Sequence, residues 1–330
     1  MKFRYFIFIV LIAFLVAFLF CFKTFTKTYN KNQVYLIIKP GDSINKVADF
    51  LSNKKVIKSK KFFLYFAKVK GYDKGIKVGN YIIPENKDID FILKKITSGK
   101  SDFAIVTIPE GFNLYQIAKR LEDLKLMKKE DLLLARVSDF DKEHLIRVKD
   151  NVFYELEGYI YPDTYYIPYS LNKREIIKIM FDRFLDKYKP YLERQKELNL
   201  SLDEVITIAS LIEKEAYDDK EKKTISGVIY NRLKRKMPLQ IDATVIYSIT
   251  KGERHINRLY YKDYKFESPY NTYKIIGLPP GPIASPSIKS IEAALYPEEH
   301  DYLYYVFTGK GHVFSKTYEE HLKNVSKYIQ

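Results

Sequence analysis

The residues best suited to chemistry stand at the end of an uncharged run. Val205 to Ile212 reads VITIASLI, eight residues without a charge, and Glu213-Lys214-Glu215 follows. A helix that is apolar nearly all round is buried. A carboxyl emerging from it is desolvated, which favours the protonated form and raises the pKa. A carboxylic acid still protonated near neutral pH is what cleavage of a glycosidic bond needs as proton donor. The plainer reading is that both glutamates only mark where a buried helix meets solvent, with Lys214 reaching out between them. Periodicity does not choose between them. Glu213 shares a face with Ile206, Ala209 and Ser210, and Glu215 shares one with Ile208, Leu211 and Ile212.

Further polar groups lie in loops and helix ends around this run. Asn231-Arg232 follows Gly227-Val-Ile-Tyr. Gln240, Asp242 and Thr244 lie in LQIDATVIY at 239–247, and Tyr270, Asn271 and Tyr273 in PYNTY at 269–273. The last segment leads into GLPPGPIASP at 277–286, and upstream EGYIYPDTY at 157–165 begins with Glu157. Dense Pro and Gly make rigid loops, and rigid loops position binding groups. Tyrosine rings stack on sugar faces and amides bond hydroxyls. Glu157, Asn231, Gln240, Asp242, Thr244, Tyr270, Asn271 and Tyr273 are therefore candidate substrate-binding residues, with a turn or packing role as the alternative for each. Asp163, Asp242 and Glu157 are further candidates for orienting groups. The histidines at 144, 255, 300, 312 and 321 are scattered without ligand spacing. The one cysteine is Cys21, and neither a Gly-rich phosphate loop nor G-x-S-x-G occurs. No metal and no cofactor is expected.

The elements that must carry these groups can be read in outline. Ile38-Lys-Pro-Gly41-Asp-Ser-Ile44-Asn-Lys-Val47-Ala48 is echoed seventy residues on by Ile108-Pro-Glu-Gly111-Phe-Asn-Leu114-Tyr-Gln-Ile117-Ala118. Each copy predicts a short strand, a Gly turn and an amphipathic helix, capped by Asp42 or Ser43 in the first and Asn113 in the second. Between the copies a helix over 60–70 with Ser59 as N-cap, a strand over 78–84 and a helix from Asp88 closed by Ser98-Gly99 are expected. Strand–helix–helix–strand in so short a span resembles a LysM-type module, a fold that commonly binds N-acetylglucosamine polymers. A structural spacer is the alternative. Beyond it, helices are expected over 173–197, 201–217 (Ser201 and Glu204 forming a capping box), 220–236 and from Thr317 to the end. The fold class is α+β.

Tyr5 to Phe22 reads YFIFIVLIAFLVAFLFCF, uncharged throughout. At about 1.5 Å per residue it spans roughly 27 Å, close to the ~30 Å of a bilayer core. No small-residue cleavage site follows, so an uncleaved anchor is expected. Lys2 and Arg4 before it and Lys23, Lys27 and Lys31 after it leave orientation undecided by charge. With 56 basic and 41 acidic residues the net charge is +15, which attracts something anionic: acidic lipid, wall polymer or nucleic acid. An anchored protein rarely needs a nucleic-acid groove, so no nucleic-acid partner is expected. The expected organisation is a cytoplasmic tip at 1–4, a transmembrane helix at 5–22, a stalk at 23–34, the LysM-like module at 35–104 and a larger domain at 105–330.

Six segments, in order, resemble the MltG (YceG-like) family of endolytic murein transglycosylases. They are EGYIYPDTY at 157–165, ASLIEKEA at 209–216, NRL at 231–233, LQIDATVIY at 239–247, YNTY at 270–273 and GLPPGPIASP at 277–286. The resemblance implies a lyase that cuts the β-1,4 bond between N-acetylmuramic acid and N-acetylglucosamine within the strand, leaving 1,6-anhydro-muramic acid. It implies that the first Glu of E-K-E, here Glu213, is catalytic, serving first as acid and then as base toward the sugar's own 6-hydroxyl. It also implies a cell-membrane location with the body outside and Met1–Arg4 in the cytoplasm. Glycan strands are the implied partner, together with the synthases (penicillin-binding proteins) whose nascent strands it would cut. The competing readings are a non-catalytic wall-binding scaffold and a hydrolase giving reducing ends.

Overall fold

The computed structural model describes residues 10–12, 14–16 and 23–329. Twelve of the eighteen residues of the expected anchor at 5–22 thus lie outside the described residues. Among those described, no helix is long and apolar enough to cross a membrane. The chain divides into two compact units, residues 1–104 with 168–170, and residues 105–167 with 171–330.

In the first unit β1 (Val34–Ile38), α1 (Ile44–Asn53), α2 (Lys60–Val69), β2 (Gly79–Ile83) and α3 (Ile89–Ser98) follow one another. β1 and β2 pair antiparallel, with Val34 opposite Ile83 and Ile38 opposite Gly79. Strand alternation sends Leu36 and Ile38 inward, and helical spacing does the same for Val47, Leu51, Phe63 and Ile92. Ser43, Ser59 and Asp88 accept the first free N–H groups of their helices, and Gly99 closes α3 in the left-handed conformation.

The second unit contains most of β3 (Phe103–Thr107) and of β4 (Thr164–Pro168), with α4 (Leu114–Asp123), α5 (Lys129–Leu133), α6 (Lys173–Tyr188) and α7 (Leu192–Glu197). It continues with α8 (Leu202–Glu215), α9 (Lys222–Lys234), α10 (Asp242–Thr250), α11 (Ile288–Leu295), β5 (Tyr304–Phe307), β6 (His312–Ser315) and α12 (Tyr318–Tyr328). β3 pairs with β4, and β5 pairs antiparallel with β6. Small sheets among many helices make an α+β fold, as expected.

The single helix expected over 173–197 is two helices. Pro190 sits in a 3-10 turn at 189–191 between α6 and α7, because proline has no N–H to give and its ring crowds the preceding turn. The stretch between 236 and Thr317, for which no helix is expected, also holds α10 and α11. α8 is the centre of this unit. Its residues 205–212 are all buried, each apolar side chain among them contributing roughly 2 kcal/mol. Ser201 and Glu204 cap it reciprocally, and α9, α10 and α11 pack against it.

Candidate active site

The capped, buried helix α8 delivers Glu213 to a junction of three other segments. The first is the turn after β3. Its Gly111 (φ +73°) lies so near that a Cβ there would stand 3.7 Å from Glu213 Cγ. The second is the loop entering α11. Ser285 exchanges backbone bonds with the turn, Gly111 N–H donating to Ser285 O at 2.9 Å and Ser285 N–H to Phe112 O at 2.7 Å. The loop is fixed to α8 by Ile283 N–H donating to the buried Ser210 Oγ at 3.1 Å. The third is the first turn of α9, which supplies Lys222.

Four donors converge on one oxygen of Glu213. Ser287 Oγ and Ser290 Oγ each donate to Oε2 at 2.6 Å, Ser287 N–H at 3.0 Å, and the Lys222 ammonium at 3.5 Å. Lys222 also donates to Ser287 Oγ at 3.0 Å and pairs with Asp219 at 2.8 Å. Ser287 is the N-cap of α11, so the carboxyl also faces the positive end of that helix. The Glu213 side chain is 10% exposed and that of Lys222 7%.

This overturns one expectation. Burial does push the Glu213 carboxyl up. The bonds from Ser287 and Ser290 and the charge of Lys222 outweigh it, and hold the group below the ordinary carboxylate value. Glu213 stands in this structure as an ionised base, not as a stored acid. Burial pushes the Lys222 ammonium down, but Asp219 and Glu213 more than compensate and keep it charged.

The sequence profile of the YceG-like family matches residues 36–327. The chain belongs to the YceG-like family. It is 40% identical over 317 residues to a Bacillus subtilis protein named endolytic murein transglycosylase, covering 91% of this chain and 86% of that one. A Streptococcus pneumoniae protein of the same name is 33% identical over 326 residues, and there the alignment spans 59% of the relative's length. The crystal structure of a YceG-like protein from Listeria monocytogenes superposes with a TM-score of 0.63 at 35% identity, covering 89% of this chain and 99% of that one.

The other candidate positions of this YceG-like chain serve different ends. Glu157 is 1% exposed. Its carboxyl accepts Leu114 N–H at 2.9 and 3.1 Å and Tyr247 OH at 2.8 Å. It ties the start of α4 to α10 and cannot touch a sugar, and burial pushes it up to about 8. Thr244, Tyr270 and Asn271 are likewise buried, and sugar contact by them is corrected to internal bonding. Thr244 Oγ1 meets Thr272 Oγ1 at 2.8 Å, the Tyr270 ring stacks on Phe153 at 4.6 Å, and Asn271 Nδ2 donates to Phe266 O at 2.7 Å. Asn231 spends its amide on His300 O and Tyr302 O at 2.7 and 3.1 Å. Its neighbour Arg232 is the hub, donating to Leu303 O, Pro238 O, Leu239 O and Gln240 Oε1.

Asp242 and Tyr273 form a separate polar cluster, with Tyr273 OH donating to Asp242 at 2.7 Å and Tyr264 OH at 3.3 Å. Glu215 belongs there, not with Glu213. It takes Tyr305 OH at 2.8 Å, and burial first, then Asp242, push it up to about 7. Two residues on a helix differ by about 200°, so the two glutamates part company.

A cleft of about 230 Å³ opens beside Lys214, lined also by Tyr115, Lys119, Tyr247, Arg254 and His255. Lys214 donates to Gly111 O at 3.3 Å from its rim. Sequence reading missed Ser287, Ser290 and Lys222. The S-P-S-x-x-S pattern at 285–290 is an N-cap signal that would have located the first two. Lys222 carries no such signal. Among the described residues no cluster of ligating side chains suits a metal ion.

Proposed function

We propose that this protein is an endolytic murein lytic transglycosylase with Glu213 as its catalytic residue. The observation that carries the reading is the one-sided bonding of Glu213. All four donors fall on Oε2, and Oε1 takes none of them. A carboxylate anchored by one oxygen keeps the other for a substrate hydroxyl. In the reaction the bond from C1 of N-acetylmuramic acid to the N-acetylglucosamine oxygen breaks, and positive charge develops at C1. The 6-hydroxyl of the same muramic acid attacks C1, and Glu213 takes its proton. No water enters, and the new end is 1,6-anhydro-muramic acid. Because the nucleophile is part of the substrate, no second carboxylate is needed to form a covalent intermediate.

The remaining organisation follows the sequence. The apolar run 5–22 anchors the chain in the cell membrane, with 1–4 in the cytoplasm and the body outside. Residues 23–34 form a stalk, and 35–104 form a LysM-like module that contacts glycan. The antiparallel β1–β2 pair with α1 and α2 between them supports that likeness. Strands are cut beside the synthases that extend them. Asp242, Tyr273 and Gln240, whose side chains are not sealed inside the body, contact the glycan.

Digestion of purified murein sacculi with product mass spectrometry tests the reading. Internal fragments ending in anhydro-muramic acid are expected, and they should disappear in Glu213→Gln. Intact sacculi, or products heavier by one water, would overturn the lyase assignment. Full activity in Glu213→Gln would overturn the site.

A further inference from the structure

A base at Glu213 leaves the proton for the departing sugar unassigned. We propose that Glu110, on the turn that abuts Glu213, is the acid that protonates the leaving oxygen. The inference rests on the transglycosylase reading above.

Geometry places the two groups together. Glu110 is bonded to Gly111, which lies so near that a Cβ added there would stand 3.7 Å from Glu213 Cγ. The turn is held in place on three sides. Ile108 N–H donates to Asp163 O at 2.8 Å, the Gly111 and Phe112 backbone is bonded to Ser285, and the Lys214 ammonium donates to Gly111 O. The Glu110 backbone, on so fixed a turn, has a defined position relative to the end of α8.

The internal echo supplies an independent argument. The same strand–turn–helix occurs at 38–51, where the residue matching Glu110 is Pro40. Both turns close through a left-handed glycine, Gly41 at φ +84° and Gly111 at φ +73°. The turn therefore forms without a carboxylate before its glycine, and folding does not require Glu110. The residue is also exposed to solvent, so it holds no core together.

Electrostatics divides the roles in the same direction. Partial desolvation and then the negative charge of Glu213 push the Glu110 carboxyl up, while the donors on Oε2 hold Glu213 down. Two carboxyls whose environments separate their pKa values are an acid and a base.

The step balances. The Glu110 proton goes to the glycosidic oxygen. The C1–O bond breaks with its electron pair on that oxygen, which leaves as the 4-hydroxyl of N-acetylglucosamine. The 6-oxygen of muramic acid bonds to C1, and its proton goes to Glu213 Oε1. Solvent exchange then returns a proton to Glu110 and removes one from Glu213.

The test is the pH dependence of strand cleavage by the full-length protein, in wild type, Glu110→Gln and Glu110→Asp, with folding checked by thermal melting. General acid catalysis contributes about 10²–10⁴-fold. Glu110→Gln is expected to lose at least about 10²-fold in kcat/KM and to lose the alkaline limb of the bell-shaped profile. Glu110→Asp keeps a carboxyl and should keep that limb at reduced rate. A folded Glu110→Gln within about threefold of wild type, or one slowed with an unchanged alkaline limb, overturns the assignment. A wild type that makes no anhydro ends overturns the transglycosylase reading itself and this inference with it.

Discussion

Replacing Glu157 by glutamine should flatten the pH dependence of stability. The buried carboxyl holds its proton up to about pH 8, against an ordinary value of 4.5. The unfolded chain releases that proton near the ordinary value. Between those limits the folded state binds more protons than the unfolded one, so unfolding free energy falls as pH rises. The stabilisation is complete below about 4.5 and is lost as pH climbs through the folded value. The difference of about 3.5 units, at roughly 1.4 kcal/mol each, is worth about 5 kcal/mol in full. Glutamine has the same shape. Its carbonyl can accept Leu114 N–H, and its amide can donate to Tyr247 OH. Urea unfolding of both proteins at several pH values from 4.5 to 8.5 measures the effect. Glu215 declines in the same direction, since its pKa is pushed up to about 7, so the wild-type curve alone is not diagnostic. The difference between the two proteins is. Glu157→Gln should gain on wild type by about 4 kcal/mol between pH 5 and 8.5. Parallel curves would refute the claim that Glu157 is buried neutral.

Two further changes probe the site's supports. Ser290→Ala removes a charge-assisted bond to Glu213 Oε2, worth about 1.5–3 kcal/mol. It should raise the Glu213 pKa and shift the acid limb of the activity profile upward; an unmoved acid limb sinks the idea that this hydroxyl keeps Glu213 ionised. The accompanying loss of stability should be present at neutral pH and fade as pH falls below the ordinary value of 4.5, because Glu213 is the reverse case from Glu157. Gly158→Ala adds a Cβ 2.7 Å from Pro282 Cβ at φ +83°. Left-handed strain and overpacking together should cost about 2–4 kcal/mol, read as a lowered denaturant midpoint; a midpoint equal to wild type would contradict the packing.

Much of the frame is legible in the sequence because it is local. Ser43, Ser59, Asp88, Asn113, Ser201 and Thr317 are caps that announce their helices within three residues. The uncharged run at 205–212 announces burial by composition alone. The break at Pro190 is also local and could have been read. The environment of Glu213 could not. Lys222 is nine residues from it and Ser287 and Ser290 more than seventy, so the groups that set its charge meet only through tertiary packing. The same holds for Tyr270 and Asn271. Their composition suits a sugar, but their burial comes from Phe153 and the 264–266 backbone, brought near by the fold.

Three carboxyls in this chain show why burial does not decide a glutamate's role. Burial pushes each of Glu157, Glu215 and Glu213 toward its neutral form. Glu215 receives one tyrosine hydroxyl and stays high. Glu157 receives a backbone N–H and a tyrosine hydroxyl and stays higher still. Only Glu213 has an ammonium within bonding reach, two serine hydroxyls and a helix N-cap on the same oxygen, and only Glu213 is driven below its ordinary value. One or two neutral donors offset part of a desolvation penalty, whereas two serine hydroxyls and a backbone N–H on the same oxygen, joined by a cation, reverse it. The first two glutamates are therefore struts that hold α4 and β5 in place. The third is a charged group whose ionisation depends on α9 and α11 staying docked on α8. Any motion that withdraws α11 would remove three donors at once and return Glu213 toward the protonated state. The basicity of the site is thus a property of the packed helices, and not of the E-K-E triplet that first drew attention to it.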